Sequence, residues 1–325
     1  MIHSVLLPLA IGLGVFLTGM KVMELALHQW AGPYLTRLLE RFTRTPVRGM
    51  LIGTAVTAVL QSSSAITVLC IGLVNAGLMS FPRTLGIILG TNIGSCLTTE
   101  LMGLNISHYS LPILLAAAAV WICTLVLAPF RSFRLRRYLH SVRCLSLAIC
   151  GLAAVLLGIV VMQTMVPDLQ SRGLFTWFVE HAQRSVLWGV LAGAVVTAIV
   201  HSSAAVIAMT MGLAAVQAIP VEVGIAIVIG SNVGTCATAL IASIGGSRSG
   251  RFVAWSHTLL NAGGAVLFIP LLPLLHEASA WLSGDPSGQI ARAQTLFNVL
   301  SSLLALPICY LPALSNLQAP KRPRS

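Results

Sequence analysis

Charge is scarce in this chain. Only 8% of its 325 residues are Asp, Glu, Lys or Arg, against roughly 25% in soluble domains. That deficit excludes an ordinary water-soluble enzyme. It also excludes disorder, which needs high charge and low hydrophobicity. Acids are scarcest, 8 against 19 Lys and Arg, for a net charge of +11. A basic chain can signal nucleic acid. Here the arginines fall in short clusters between apolar runs, so membrane topology explains them first and no nucleic-acid partner is expected. The 7 Cys lie mostly inside apolar runs, with no CxxC metal pair and no secreted disulfide framework. No stretch is long and polar enough to make a soluble domain.

What the chain has is hydrophobicity, at 57% of residues. Apolar segments run at 4–28, 49–76, 84–103, 110–130, 144–166, 186–213, 222–244, 252–275 and 290–313. Most are near the roughly 20 residues needed to span a bilayer. The first is too long for a signal-peptide core of about 7–15 residues and lacks a basic start, so it reads as a retained transmembrane helix. Residues 33–48 differ. Leu35, Leu38, Leu39 and Phe42 share one face and Arg37, Arg41 and Arg44 the other, which predicts an amphipathic helix on the membrane surface. The basic tail 320–325 is expected to be disordered. The whole predicts an all-α integral membrane protein, a single transmembrane domain over 1–325, multi-pass in the cell (inner) membrane with the lipid bilayer as its solvent.

The strongest feature is an internal repeat. Residues 49–100 align with 189–240 without a gap, and about 17 of 52 positions are identical. Gln61-Ser62-Ser63-Ser64-Ala65 lies over His201-Ser202-Ser203-Ala204-Ala205. Gly90-Thr91-Asn92-Ile93-Gly94-Ser95-Cys96 lies over Gly230-Ser231-Asn232-Val233-Gly234-Thr235-Cys236. Polar residues shared at fixed spacing inside lipid-buried runs are costly, and so are not chance. The repeats extend over about 49–130 and 186–275.

Each repeat opens with nearly 30 apolar residues around a polar cluster. Such a run either crosses once or enters and returns as a re-entrant hairpin. Arms of about 12 residues reach about 18 Å, just past the midplane. Counting basic residues separates the two. With two hairpins, Arg37, Arg41, Arg44, Arg48, Arg83, the Arg131–Arg143 group, Arg248, Arg251 and the basic tail share one side, about 15 in all. Only Arg172, Arg184 and Arg292 fall on the other. With two full spans the split falls to about 11 against 7. The positive-inside rule favours hairpins, with the C-terminus cytoplasmic and the N-terminus outside. Three crossings separate the hairpins, so the second enters from the opposite face. The predicted fold is therefore a pair of inverted-topology repeats, each with a re-entrant helical hairpin and a broken transmembrane helix, the architecture of secondary transporters.

The clusters supply the chemistry. Polar groups in mid-membrane must find partners, and hairpin tips expose amides whose positive dipole end suits an anion. Ser62, Ser63, Ser64, Ser202 and Ser203, with Asn92 and Asn232, are the candidate anion contacts. Gly94 and Gly234 would let the spans unwind, freeing carbonyls and the hydroxyls of Thr91, Ser95 and Thr235 for a small cation such as sodium. His201 and Glu100 are candidates for proton or cation coupling. Several other features have plain readings. Lys21 and Glu24 stand three apart and are spaced to pair. Glu100 could snorkel to the outer surface, His257 could hydrogen-bond within the bundle, and Arg131–Arg137 reads as a cytoplasmic topology anchor.

These residues resemble the type II sodium–phosphate cotransporter family and its bacterial relatives. The likeness rests on the paired Gln61-Ser62-Ser63-Ser64 and Gly90-Thr91-Asn92-Ile93-Gly94-Ser95 motifs and their variant copy. It extends to Gly14–Met23, His257-Thr258-Leu259-Leu260-Asn261 and Gln294-Thr295-Leu296-Phe297-Asn298. The resemblance implies sodium-coupled movement of inorganic phosphate, with no cofactor beyond sodium as coupling ion. It implies phosphate contacts at Ser62, Ser63, Ser202 and Ser203, and sodium ligands that include Gln61, Ser202, Thr235 and Thr238. Three departures stand out. His201 occupies a position usually held by Gln, and a protonated imidazole cannot ligate sodium. Glu100 replaces an uncharged residue. The soluble regulatory domain of many bacterial relatives is expected to be lacking. The competing readings are a carrier or exporter of another small oxyanion, and an intramembrane serine hydrolase using Ser62 or Ser202 with His201 or His257. The hydrolase lacks a GxSxG elbow and a duplicated His. Oligomeric state is open, a homodimer included.

Overall fold

The computed structural model describes residues 2–76, 78–104, 106–127 and 133–311, and every regular element among them is helical. In chain order the helices are α1 (Leu7–Phe42), α2 (Pro46–Leu60), α3 (Ser63–Asn75), α4 (Phe81–Met102), α5 (Ser110–Leu127), α6 (Phe133–Gln163), α7 (Val166–Gln170), α8 (Gly173–Arg184), α9 (Val186–Val200), α10 (Ser203–Ala215), α11 (Val221–Gly234), α12 (Cys236–Ala242), α13 (Arg248–Phe268), α14 (Leu272–Leu282) and α15 (Pro286–Ala305). Among the described residues, six helical stretches are long and apolar enough to cross a membrane, and α13 with α14 is a seventh candidate bent by 86°. Large apolar side chains such as Leu51, Leu115, Ile199 and Leu259 are exposed. In a helix bundle of this composition that surface faces lipid rather than water. The chain is a multi-pass membrane protein.

Two pairs of short apolar helices, α2–α3 and α9–α10, repeat each other residue for residue at the 140-residue offset. Each pair is interrupted by two non-helical residues. Gln61 and His201 both take the left-handed conformation, φ 57° and 55°, which ends the first arm. Ser62 and Ser202 are then extended, and each hydroxyl accepts the amide hydrogen three residues on, at 3.4 Å from Ala65 N and 3.2 Å from Ala205 N. This is ordinary N-capping of the second arm. The polar residues at these tips thus begin as punctuation of the backbone.

The packing follows the repeat. α2 lies along α4 and α9 along α11. Elements of one half also buttress the other half's short helices: α13 packs on α3, and α6 on α10. α15 fills the space between α4 and α11, and α1 runs along α6.

Three expectations are corrected. No separate surface helix begins at Pro33. Residues 33–42 continue α1, with Leu35 and Leu39 buried, and the turn falls at 43–45. Pro33 sits inside the helix without ending it. Secondly, α4 is unbroken through Asn92–Ser95, so the expected break is absent from the first repeat; in the second the helix is interrupted at Thr235, between α11 and α12, with φ −57° and ψ −27°. The glycines also serve close approach. A Cβ on Gly94 would stand 2.7 Å from the Thr57 Cβ, and one on Gly234 2.8 Å from the Thr197 Cβ. Only a residue without a side chain lets the helices meet so closely. Thirdly, the predicted 252–275 span ends at Phe268 and bends into α14. Arg131 and the basic tail lie outside the described residues.

Candidate functional site

The two tips meet. A cavity of about 720 Å³ is lined by Gln61, Ser62, Ser63 and Ser64 from the first and by His201, Ser202, Ser203 and Ala204 from the second. Ser95, Thr98 and Thr99 of α4, Thr235 between α11 and α12, and Gln294 of α15 add to its polar lining. α1 contributes Leu17, Met20, Lys21 and Glu24, one face of that helix. Residues about 140 apart in sequence therefore share one polar chamber in an apolar bundle.

The tips differ in side-chain chemistry. The Gln61 amide is tied down: it donates to the Ala58 carbonyl and accepts the Thr98 hydroxyl hydrogen. His201 is exposed to the cavity. The serines at both tips are partly buried, so their hydroxyls border the open space.

Behind the tips lies a second repetition. Asn298 on α15 donates to the sulfur of Cys96 at 3.2 Å, and Asn261 on α13 donates to that of Cys236 at 3.3 Å. Each cysteine directly follows the Asn-x-Gly-Ser/Thr segment of its repeat. Asn261 also accepts from Asn92 at 2.9 Å. These bonds lock the helices that carry the cavity wall.

Among the sequence candidates, the structure gathers Gln61, Ser62, Ser63, Ser64, Ser95, His201, Ser202, Ser203 and Thr235 at the cavity. It does not bring Thr91, Asn92, Asn232, Thr238 or Glu100 to the lining. The Thr91 hydroxyl returns to the Ile88 carbonyl at 2.7 Å, the Asn232 amide to Val228 at 2.9 Å, and the Thr238 hydroxyl to Thr235 at 2.8 Å. Glu100 does not snorkel outward as a free carboxylate. It pairs with Arg292 and accepts from Thr295, tying α4 to α15. His257 is buried, and its two ring nitrogens find no hydrogen-bond partner.

Lys21, Glu24, Thr98, Thr99 and Gln294 were not sequence candidates. For the first two a signal existed, since ionisable residues inside a span are functional candidates by default. For Gln294 the clue was the echo between His257-Thr258-Leu259-Leu260-Asn261 and Gln294-Thr295-Leu296-Phe297-Asn298, which marks α13 and α15 as related wall elements.

A family model described as Na+/Pi-cotransporter matches residues 15–164 and 154–275. The chain is 32% identical over 293 residues to the uncharacterized protein YqeW of Bacillus subtilis (strain 168), covering 90% of this chain and 91% of YqeW. It is 25% identical over 303 residues to YjbB of Escherichia coli (strain K12), which is named for inorganic phosphate export; the chain spans 53% of YjbB. A shorter match, 28% over 151 residues, covers 43% of this chain and 23% of the sodium-dependent phosphate transport protein 2A of Rattus norvegicus. No solved structure matches the chain.

Proposed function

The chain belongs to the Na+/Pi-cotransporter family, and on that premise we propose that it is a secondary transporter moving inorganic phosphate through the cavity between the two tips, coupled to sodium. The family is one of transporters and not of enzymes, which sets aside the serine-hydrolase reading. The observation that carries the proposal is the convergence of Ser62, Ser63 and Ser64 with Ser202 and Ser203 on one chamber. Hydroxyls and helix N-terminal amides suit a tetrahedral oxyanion. Both second arms, α3 and α10, begin at this chamber.

In this reading α2–α3 and α9–α10 are re-entrant hairpins of inverted topology entering from opposite faces. The two halves exchange access to the chamber while the site stays fixed. Sodium would sit beside Gln61, Ser95 and Thr98 or beside Ser202 and Thr235, where oxygen atoms line the cavity. The C-terminus is cytoplasmic and the N-terminus outside, in agreement with the distribution of arginines. Export is the second reading of direction, and the name of YjbB as a phosphate export protein favours it.

Purified protein in liposomes tests the function. An inward sodium gradient is expected to accumulate labelled phosphate above the potassium control. Preloaded vesicles report efflux in the same assay. Absence of phosphate flux in both directions, with and without sodium, would overturn the proposal.

A further inference from the structure

The cavity wall contains an ion pair. Lys21 and Glu24 lie near the middle of α1, and the Lys21 Nζ stands 3.1 Å from the Glu24 carboxylate. Lys21 is 61% exposed and Glu24 26%, and both line the chamber. Their open face is thus the space between the two serine tips.

A structural role explains this pair poorly. Both partners stand on one helix, three residues apart, so the bond joins no two elements, and such pairs add little to a helix. The contrast is Glu100 with Arg292 and Thr295, which ties α4 to α15 and lines no part of this cavity. Charges at mid-span are expensive in lipid and persist where they border water and act on a substrate. Among the described residues lining the cavity, Lys21 is the only Lys or Arg. The serines are neutral donors, and neutral donors alone leave an anion's charge uncompensated.

We propose that Lys21 is a phosphate-binding residue of this transporter, held by Glu24 in the empty cavity and transferred to the anion when it enters. The inference rests on the phosphate reading above and deepens it. Glu24 is then a competitor: its carboxylate occupies the ammonium that phosphate needs and repels the arriving anion. The empty chamber keeps the two charges balanced. Entry of the oxyanion exchanges one charge-assisted hydrogen bond of Lys21 for another, which makes binding reversible enough for transport. Removing the ammonium and removing the carboxylate must therefore act in opposite directions.

The experiment measures the half-saturating phosphate concentration for uptake in liposomes by wild type, Lys21→Gln, Lys21→Arg and Glu24→Gln. Lys21→Gln is expected to raise it on the order of 10- to 100-fold, the loss of one hydrogen bond to a charged group. Lys21→Arg is expected to restore most of the loss, and Glu24→Gln to lower the concentration below that of wild type. Saturation of Lys21→Gln at the wild-type concentration would overturn the assignment. So would unchanged or weaker phosphate binding in Glu24→Gln, the behaviour of a merely structural pair. Should Lys21→Gln fail to reach the membrane, Glu24→Gln decides alone. If wild type carries sulfate and not phosphate, the substrate reading fails. The variants are then scored on sulfate, and a wild-type half-saturation for Lys21→Gln overturns the Lys21 assignment there as well.

Discussion

The two tips share a backbone and not a chemistry. Gln61 and His201 have nearly the same left-handed dihedrals, φ 57° and ψ 26° against φ 55° and ψ 25°. Both are followed by a capping serine. Yet the first side chain is fastened to Ala58 and Thr98, while the second stands exposed in the cavity. A parallel difference lies one layer behind. In the second half the Thr197 and Ser231 hydroxyls bond each other at 2.7 Å across α9 and α11. Their counterparts in the first half do not meet: Thr91 turns to its own helix, and the Thr57 hydroxyl is buried without a partner. The repeat therefore conserves how the helices approach and leaves each half free to place its polar groups differently.

The largest expected effect breaks both halves alike. Ser63→Ala and Ser203→Ala each remove a hydroxyl from the proposed site. Each is expected to raise the half-saturating phosphate concentration by about 10- to 100-fold, the loss of one hydrogen bond to a charged group. Uptake titrations check it. An effect confined to one serine would mean that the second tip is scaffold.

The glycines come next. Gly94→Ala and Gly234→Ala each force a methyl group against a threonine Cβ under 3 Å away. Overpacking of this kind costs about 1–3 kcal/mol. Both variants are expected to lower the thermal unfolding temperature in detergent by similar amounts. If unwinding were the glycines' purpose, alanine would slow transport and leave stability unchanged.

The threonines sharpen the contrast. Thr197→Val leaves the buried Ser231 hydroxyl unpaired and is expected to cost about 1–2 kcal/mol, while Thr57→Val removes an orphaned hydroxyl and is expected to be neutral or stabilising. Thermal melts of the two variants side by side measure it, and equal losses would contradict the packing described.

His201 carries the smallest effect. An imidazole nitrogen is a poorer ligand for a hard cation such as sodium than the amide oxygen that Gln61 offers at the matching position. His201→Gln is expected to lower the half-saturating sodium concentration several-fold. Uptake titrated against sodium for the two proteins checks it. Superimposable sodium curves would reduce His201 to a backbone punctuation residue.

Much of this was legible in the sequence. The gapless repeat placed both polar clusters, and the apolar runs at 84–103, 110–130 and 144–166 fall on α4, α5 and α6. Periodicity could not show that Pro33 continues α1, because a proline's effect depends on whether neighbours hold the helix across it. Glycine was ambiguous for a similar reason: Gly94 permits either unwinding or contact, and only the proximity of Thr57 decides. Partners far apart in sequence, such as Glu100 with Arg292 or Asn298 with Cys96, leave no local trace. Lys21 was visible as a charge in a span, but its face of α1 had no meaning until the cavity opposite it was known.

The central claim is that the two tips form one phosphate site. Its most direct test introduces cysteine at Ser63 and, separately, at Ser203, with the exposed Cys123 replaced, and measures the rate of thiol modification as phosphate is added. The account predicts that phosphate protects both positions with the same half-protecting concentration. Protection at one position only, or at two unrelated concentrations, would contradict it.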